Sequence, residues 1–353
     1  MTGVPKRRYV VLAEGRFRGA KTAHGVLCYG ADEVVAVLDS TLAGGSVRGA
    51  MPDLLTDPER DAPIVATLEE ALAFSPTSIL VGVAPAGGRL PGEWMETLRG
   101  AAGAGLEIVG GLHQRLAPEF PDARVWDVRE PPAEAPIFSG EGFGVESKVA
   151  LTVGTDAAIG KMTATLEIEG AARRAGISTA FVPTGQTGVI IAGWGVCVDA
   201  VVSDFVAGVA EELVLRAAES SPGLILVEGQ GALSHPAYSG VTLGLLHGSC
   251  PDCLVLCVSP ERGPGYAGVP RPSPARAVRL YEEVAALVKP APVVAVSANT
   301  KGLSDKEASA FVEKVAEETG LPVADPFRDS AEPILEAVLK AEAKKPKRAD
   351  EFY

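Results

Sequence analysis

The stretch KVALTVGTDAAIGKMTATLEIEGAARRAG (148–176) constrains what this chain can fold into more than any other. An apolar run of strand length, KVALTV, leads into GTDAAIG, and a helix-compatible segment follows from Lys161. Strand, glycine turn and helix in that order form the context of a phosphate-binding loop. Gly154 and Gly160 can take backbone conformations that other residues resist, so loop N–H groups can face phosphate oxygens. The N-terminus of the next helix adds a partial positive charge, and Lys161 adds a full one. Five residues separate the glycines, where the usual loop has four. Residue 162 is Met, where a nucleotide-hydrolysing loop has the Ser or Thr that holds magnesium. Thr163 is adjacent and keeps a metal-dependent reading open. Gly154, Thr155, Asp156, Gly160, Lys161, Met162 and Thr163 are therefore the expected contacts to a phosphate-bearing ligand.

The rest of the chain alternates strands and helices around this motif. YVVLA (9–13), EVVAVL (33–38), PIVA (63–66), SILVGVA (78–84) and LEIVGG (106–111) are continuous apolar runs, the pattern of parallel strands covered on both faces. They imply a Rossmann-like domain over 1–135. The Pro-, Gly- and Glu-rich segment 136–147 reads as a linker. From 148 to 353 the rhythm resumes, with strands expected at 148–153, 178–183, 224–228, 253–258, 292–297 and 321–325. Helices are expected near 161–175, 199–219, 275–289, 304–319 and 330–343. The expected fold class is α/β: an N-terminal Rossmann-like domain, then a phosphate-loop NTPase-like domain with a doubly wound parallel sheet.

Composition narrows the function. With 32 Lys and Arg against 45 Asp and Glu, the net charge is −13, which argues against nucleic-acid binding through clustered cations. No apolar run reaches the roughly 18 residues needed to cross a bilayer. YVVLA is too short for a signal peptide, so a cytoplasmic location is expected. Five cysteines in 353 residues make no disulfide framework. CPDC (250–253) with Cys257 reads as buried thiols, since a structural zinc site wants four ligands. A small-molecule substrate and a homodimer are the expected partners.

Two resemblances follow from longer segments. GTD…GK, PTGQTG (183–188), VEGQG (227–231) and SANTKG (297–302) resemble the dethiobiotin synthetase branch of phosphate-loop proteins. That resemblance implies Glu228 near a metal or the phosphates and Asn299 near a base. A lysine that precedes the PTGQTG-like segment in that branch has no counterpart here, where Phe181 and Val182 stand. The second resemblance spans nearly the whole chain. GTDAAIGKM, FVPTGQTGVIIAGWGVCVDAVVSDFVAG, VEGQGALSHPAYSGVTLGLLHG and VGVAPAGGRLP look like the family filed as domain of unknown function 1611. The activity known in that family is D-glutamate N-acetylation, so the resemblance implies acetyl-CoA as co-substrate and an acidic D-amino acid as acceptor. The alternative is an ATP- and magnesium-dependent ligase or kinase, with Thr163 and Glu228 at the metal. A non-catalytic nucleotide-binding module is a third reading. Acyl transfer needs no metal, so Met162 suits the first; it does need a base and oxyanion donors.

Candidate chemistry clusters at expected strand ends, where such sheets bind ligands. Glu228, His235 and Asp204 are the candidate catalytic groups. Thr184, Gln186, Thr187, Tyr238, Ser239 and Arg89 are candidate substrate contacts, the first three forming a nest of donors for a carboxylate. His247, after an apolar run, reads as a structural residue at a helix end. Asp199 reads as a helix cap.

Overall fold

A computed structural model of the chain describes residues 6–83, 90–260 and 265–345. Among these residues, no helix is long and apolar enough to cross a membrane. The chain groups into two compact units: Met1–Pro131 with Gln186–Cys197, and Pro132–Gly185 with Val198–Tyr353.

The first unit holds strands β1 (Arg8–Leu12), β2 (Glu33–Leu38), β3 (Ile64–Val65), β4 (Ser78–Val81), β5 (Glu107–Gly110) and β6 (Val125–Asp127). They pair in parallel in the order β3-β2-β1-β4-β5-β6, the Rossmann arrangement. The expected apolar runs supply β1 to β5. β6, with its half-buried VWD, carries no apolar run and was not expected.

The helix Gln186–Ala192 also belongs to this unit. The sequence placed it within the second domain. The Thr187 hydroxyl meets that of Thr22 at 3.1 Å, and Gln186 accepts from Arg129 at 3.2 Å. Its burial of Val189, Ile190 and Ile191 leaves the first unit built from two separate stretches of chain.

In the second unit, β7 (Lys148–Gly154), β8 (Thr179–Val182), β9 (Leu224–Val227), β10 (Cys253–Val258), β11 (Val293–Ala298) and β12 (Val323–Ala324) are again all parallel. Their order is β12-β11-β10-β7-β9-β8, so β7 is central, with β9 on one side and β10 on the other. Side chains alternate across a sheet. Ala150, Leu224, Leu226, Cys253 and Val255 present one face, and Ile168, Ala171 and Ala172 of the helix Lys161–Arg174 cover it. Those three sit at i, i+3 and i+4, one helical stripe. Ile334, Leu335 and Val338 of the helix Glu332–Lys340 complete the cluster.

Two expectations change here. The segment 136–147 is bonded down within the second unit. The buried Glu211 carboxylate accepts from Ser139 N (2.6 Å), Ser139 Oγ (3.0 Å) and Gly142 N (2.9 Å). The helix expected from 199 begins at Val206, after two one-turn 3-10 segments at Val198–Ala200 and Ser203–Phe205. Asp199 lies in the first of these.

Candidate functional site

The residues that can act on a ligand stand at the C-terminal ends of the second sheet's strands. β7 ends at Gly154, and the loop runs to Gly160 before the helix opens at Lys161. Gly160 has φ +107°, and a Cβ there would lie 2.7 Å from the Phe327 ring and 2.9 Å from the Asn299 amide nitrogen. Only glycine fits a left-handed turn pressed between those side chains. The Asn299 amide donates to Ile159 O at 2.9 Å, and its oxygen accepts from Lys301 N at 3.2 Å. Asn299, expected near a base, thus buttresses the loop. The loop is also clamped from below. The buried Tyr281 hydroxyl donates to Gly154 O (2.8 Å) and accepts from Leu233 N (3.1 Å), tying the loop to the segment after β9.

Lys161 is buried, and its ammonium donates to Asp156 O at 2.8 Å. Burial pushes it down from 10.5 to about 8, with the nearby carboxylates of Asp156 and Glu228 opposing that shift. Its stem passes Gly229, where a Cβ would lie 3.2 Å from Lys161 Cδ and 1.7 Å from Thr152 O. A phosphate at the loop would give this dry ammonium the anionic partner it lacks. Met162 and Thr163 are half-buried in the first turn of the helix.

Glu228 follows β9 directly and is 5% exposed. Its Oε2 accepts from Thr184 N (3.0 Å) and Gly185 N (3.1 Å). The Thr184 hydroxyl donates to Glu228 O at 2.7 Å. Burial raises the carboxyl from 4.5 to about 7, against those two N–H bonds and the nearby Lys161 charge, which pull it down. The expected donor nest of PTGQTG therefore divides. Thr184 and Gly185 serve Glu228, while Gln186 and Thr187 serve the first unit.

Asp156 and His235 come together as a second cluster. Asp156 Oδ2 lies 2.5 Å from Arg271 Nε, and Oδ1 lies 3.7 Å from His235 Nε2. The buried His235 ring packs against both Tyr238 and Tyr266, each with its centroid at 4.6 Å, and those two rings meet at 6.5 Å. Ala237 N donates to His235 Nδ1 at 3.2 Å, so the neutral ring carries its proton on Nε2, toward Asp156. Its one lone pair is spent on that backbone bond, which makes His235 an orienting group and not a free base. Asp204, also nominated as catalytic, is exposed on its 3-10 turn, and no hydrogen bond or ion pair links it to these groups among the described residues.

The remaining nominees divide similarly. Tyr238 is half-exposed just before the helix Ser239–Gly248, and Ser239 opens that helix. Arg89 lies outside the described residues. His247 Nε2 pairs with Val284 O at 3.0 Å, a packing role. Cys250, Cys253 and Cys257 are buried, and burial pushes each thiol up to about 12. No group of three His, Cys, Asp or Glu among the described residues could hold a metal ion.

Sequence reading missed Arg271, Tyr266, Tyr281 and Phe327. Phe327 lies three residues past β12, so the strand-end rule could have flagged it. The other three sit within or beyond a long connection after β10, where nothing local marks them.

A glycine–lysine loop at the end of the central strand of an all-parallel sheet, on a chain that also builds a Rossmann-ordered sheet, defines a phosphate-loop α/β protein. Comparison with known families is consistent with that class. The P-loop domain of the domain-of-unknown-function family DUF1611 matches residues 136–335, and its Rossmann-like N-terminal domain matches 46–131. The chain belongs to the DUF1611 family. A D-glutamate N-acetyltransferase of Tritonibacter scottomollicae is 38% identical over 285 residues, 77% of this chain and 84% of that protein. A D-glutamate N-acetyltransferase of a Pseudoalteromonas species is 36% identical over 277 residues, 75% of this chain and 82% of that one. The crystal structure of a DUF1611 family protein from Anabaena variabilis is similar with a TM-score of 0.87 and 37% identity, covering 95% of this chain and all of the other.

Proposed function

We propose that this protein is an N-acetyltransferase that moves the acetyl group of acetyl-CoA to the amine of an acidic D-amino acid such as D-glutamate. The observation that carries the reading is the similarity, over about three quarters of the chain, to two proteins named for that activity. The loop's chemistry supports it. Coenzyme A presents a diphosphate that must be gripped and not cleaved. A loop with Lys161 but Met162 in place of the magnesium-holding hydroxyl is suited to that task.

In this reading Gly154, Thr155, Asp156, Gly160, Lys161, Met162 and Thr163 line the diphosphate, with Asn299 and Phe327 holding the loop's shape. Glu228 is the general base. A carboxyl raised to about 7 is partly ionised at neutral pH and is basic enough to take an ammonium proton. The freed amine attacks the thioester carbonyl carbon. A C–N bond forms, the C–S bond breaks, the nitrogen sheds its extra proton, and the departing coenzyme thiolate takes one up. Tyr238 and Ser239 are the proposed contacts to the acceptor's carboxylates, through their hydroxyls and the N-terminal end of the helix Ser239–Gly248.

The test is thiol release from acetyl-CoA with D-glutamate in the absence of ATP. Turnover with D-glutamate is the expected result. No thiol release across a panel of D- and L-amino acids overturns the reading. Thr163, next to Met162, motivates one rival, an ATP- and magnesium-dependent ligase or kinase. ADP formation dependent on a carboxylate or amine substrate would favour that rival.

A further inference from the structure

The connection after β10 brings a second cation to the phosphate loop. Arg271 Nε lies 2.5 Å from Asp156 Oδ2, and its side chain is only one-fifth exposed. Yet that Nε is buried with no aligned hydrogen bond. The pair attracts by charge while the N–H misses the geometry of a good hydrogen bond. Arginine presents its donors as a planar fork that fits the oxygens of a phosphate two at a time. Here the fork stands beside a phosphate cradle with no hydrogen bond at its buried nitrogen.

Asp156 makes this arrangement intelligible. It holds both cations of the loop: Lys161 on its backbone carbonyl and Arg271 on its carboxylate. A diphosphate bears a negative charge on each phosphate, and Lys161 supplies one positive charge. Where a related loop recruits magnesium through a hydroxyl at position 162, this chain has Met. The tyrosine five residues before Arg271 packs on His235, whose Nε2 faces the other Asp156 oxygen. The connection is therefore seated on the same carboxylate at two points.

We propose that Arg271 is a phosphate-binding residue: it is held on Asp156 beside the loop and transfers to the ligand's diphosphate on binding, where it supplies the second positive charge that a metal supplies elsewhere. This rests on reading the loop as a site for coenzyme A. No covalent step is involved. One ion pair is exchanged for another, and Asp156 keeps its bond from Ala157 N, 2.7 Å from Oδ1.

The test is calorimetric titration of the full-length protein with coenzyme A and with dephospho-coenzyme A, without magnesium. Removing a charged, hydrogen-bonding phosphate contact costs about ten- to a hundredfold in affinity. Arg271→Ala is expected to weaken both ligands alike by that factor, with its thermal unfolding close to wild type. Arg271→Lys recovers part of the loss, because an ammonium restores charge without the fork. Asp156→Asn tightens both ligands several-fold, since the arginine is no longer held back, and that gain disappears in the Asp156→Asn/Arg271→Ala double variant. Wild-type affinity in Arg271→Ala overturns the proposal. So does a loss confined to coenzyme A, which would put Arg271 on the 3′-phosphate. If Lys161→Ala weakens binding while Arg271→Ala does not, the loop reading stands and only this proposal falls. If the wild-type protein binds neither ligand, both fall.

Discussion

Lys161→Met should make the protein more stable while it abolishes ligand binding. Lys161 is 5% exposed, and burial brings its ammonium from 10.5 down to about 8. Each pH unit of that interval is worth about 1.4 kcal/mol, so keeping the charge in the folded state at pH 7 costs about 3 kcal/mol. Methionine keeps most of the stem's packing and removes the charge. It also strips Asp156 O of its 2.8 Å donor, which costs about 1–2 kcal/mol. The net expectation at pH 7 is a variant more stable by about 1–2 kcal/mol. The pH dependence gives the sharper signature. A lysine with a lowered folded pKa sheds its proton first in the folded state, so wild-type stability climbs relative to the variant between about pH 8 and 10.5. The charge contribution falls from about 3 kcal/mol at pH 7 to about half that at pH 9.5. Urea unfolding of both proteins at the two pH values measures it, followed by a signal from the second unit. A variant less stable at pH 7, with a gap that does not move toward alkaline pH, would refute the claim that Lys161 is held charged at the loop's expense.

Three further outcomes follow from the same geometry. The kcat/KM profile should rise through about pH 7 as Glu228 ionises and fall above about pH 8 as Lys161 loses its proton; Glu228→Gln should remove the rising limb and lower kcat by about a hundredfold, while Lys161→Arg should carry the falling limb upward. The raised Glu228 carboxyl favours the folded state below about pH 4.5, and that advantage is lost as pH rises through about 7, so chemical unfolding should show wild type losing stability relative to Glu228→Gln across that window. Gly229→Ala would set a methyl 1.7 Å from Thr152 O and against the Lys161 stem, so a loss of about 3 kcal/mol or more is expected in denaturant titrations, whereas Tyr281→Phe, which removes only the hydroxyl bridging Gly154 and Leu233, should cost about 1–2 kcal/mol.

Eleven of the twelve strands among the described residues were legible because a strand covered on both faces must be apolar along its length, and that pattern is local. β6 escaped because its three half-buried residues include no apolar run. The loop lysine, the strand-end Glu228 and the segment around His235 were legible for a related reason. Glycine spacing and position after an apolar run are properties of neighbouring residues.

The strand order was not local, and it decided the rest. Placing β10 and β9 on either side of β7 is what lets Tyr281 reach Gly154 across 127 positions and Arg271 reach Asp156 across 115. Burial, which no single residue type announces, turned Glu228 and Lys161 into groups that titrate near neutrality. It also turned the supposed linker into a segment bonded to Glu211. The packing of the helix Gln186–Ala192 split a motif that reads as one nest, sending Gln186 and Thr187 to the first unit and leaving Thr184 with Glu228. The sequence by itself determined two parallel α/β sheets and a phosphate cradle without its magnesium hydroxyl, because periodicity and turn chemistry act between near neighbours. Only the tertiary structure decided which charges meet at that cradle, because desolvation and ion pairing depend on distances that strand order sets.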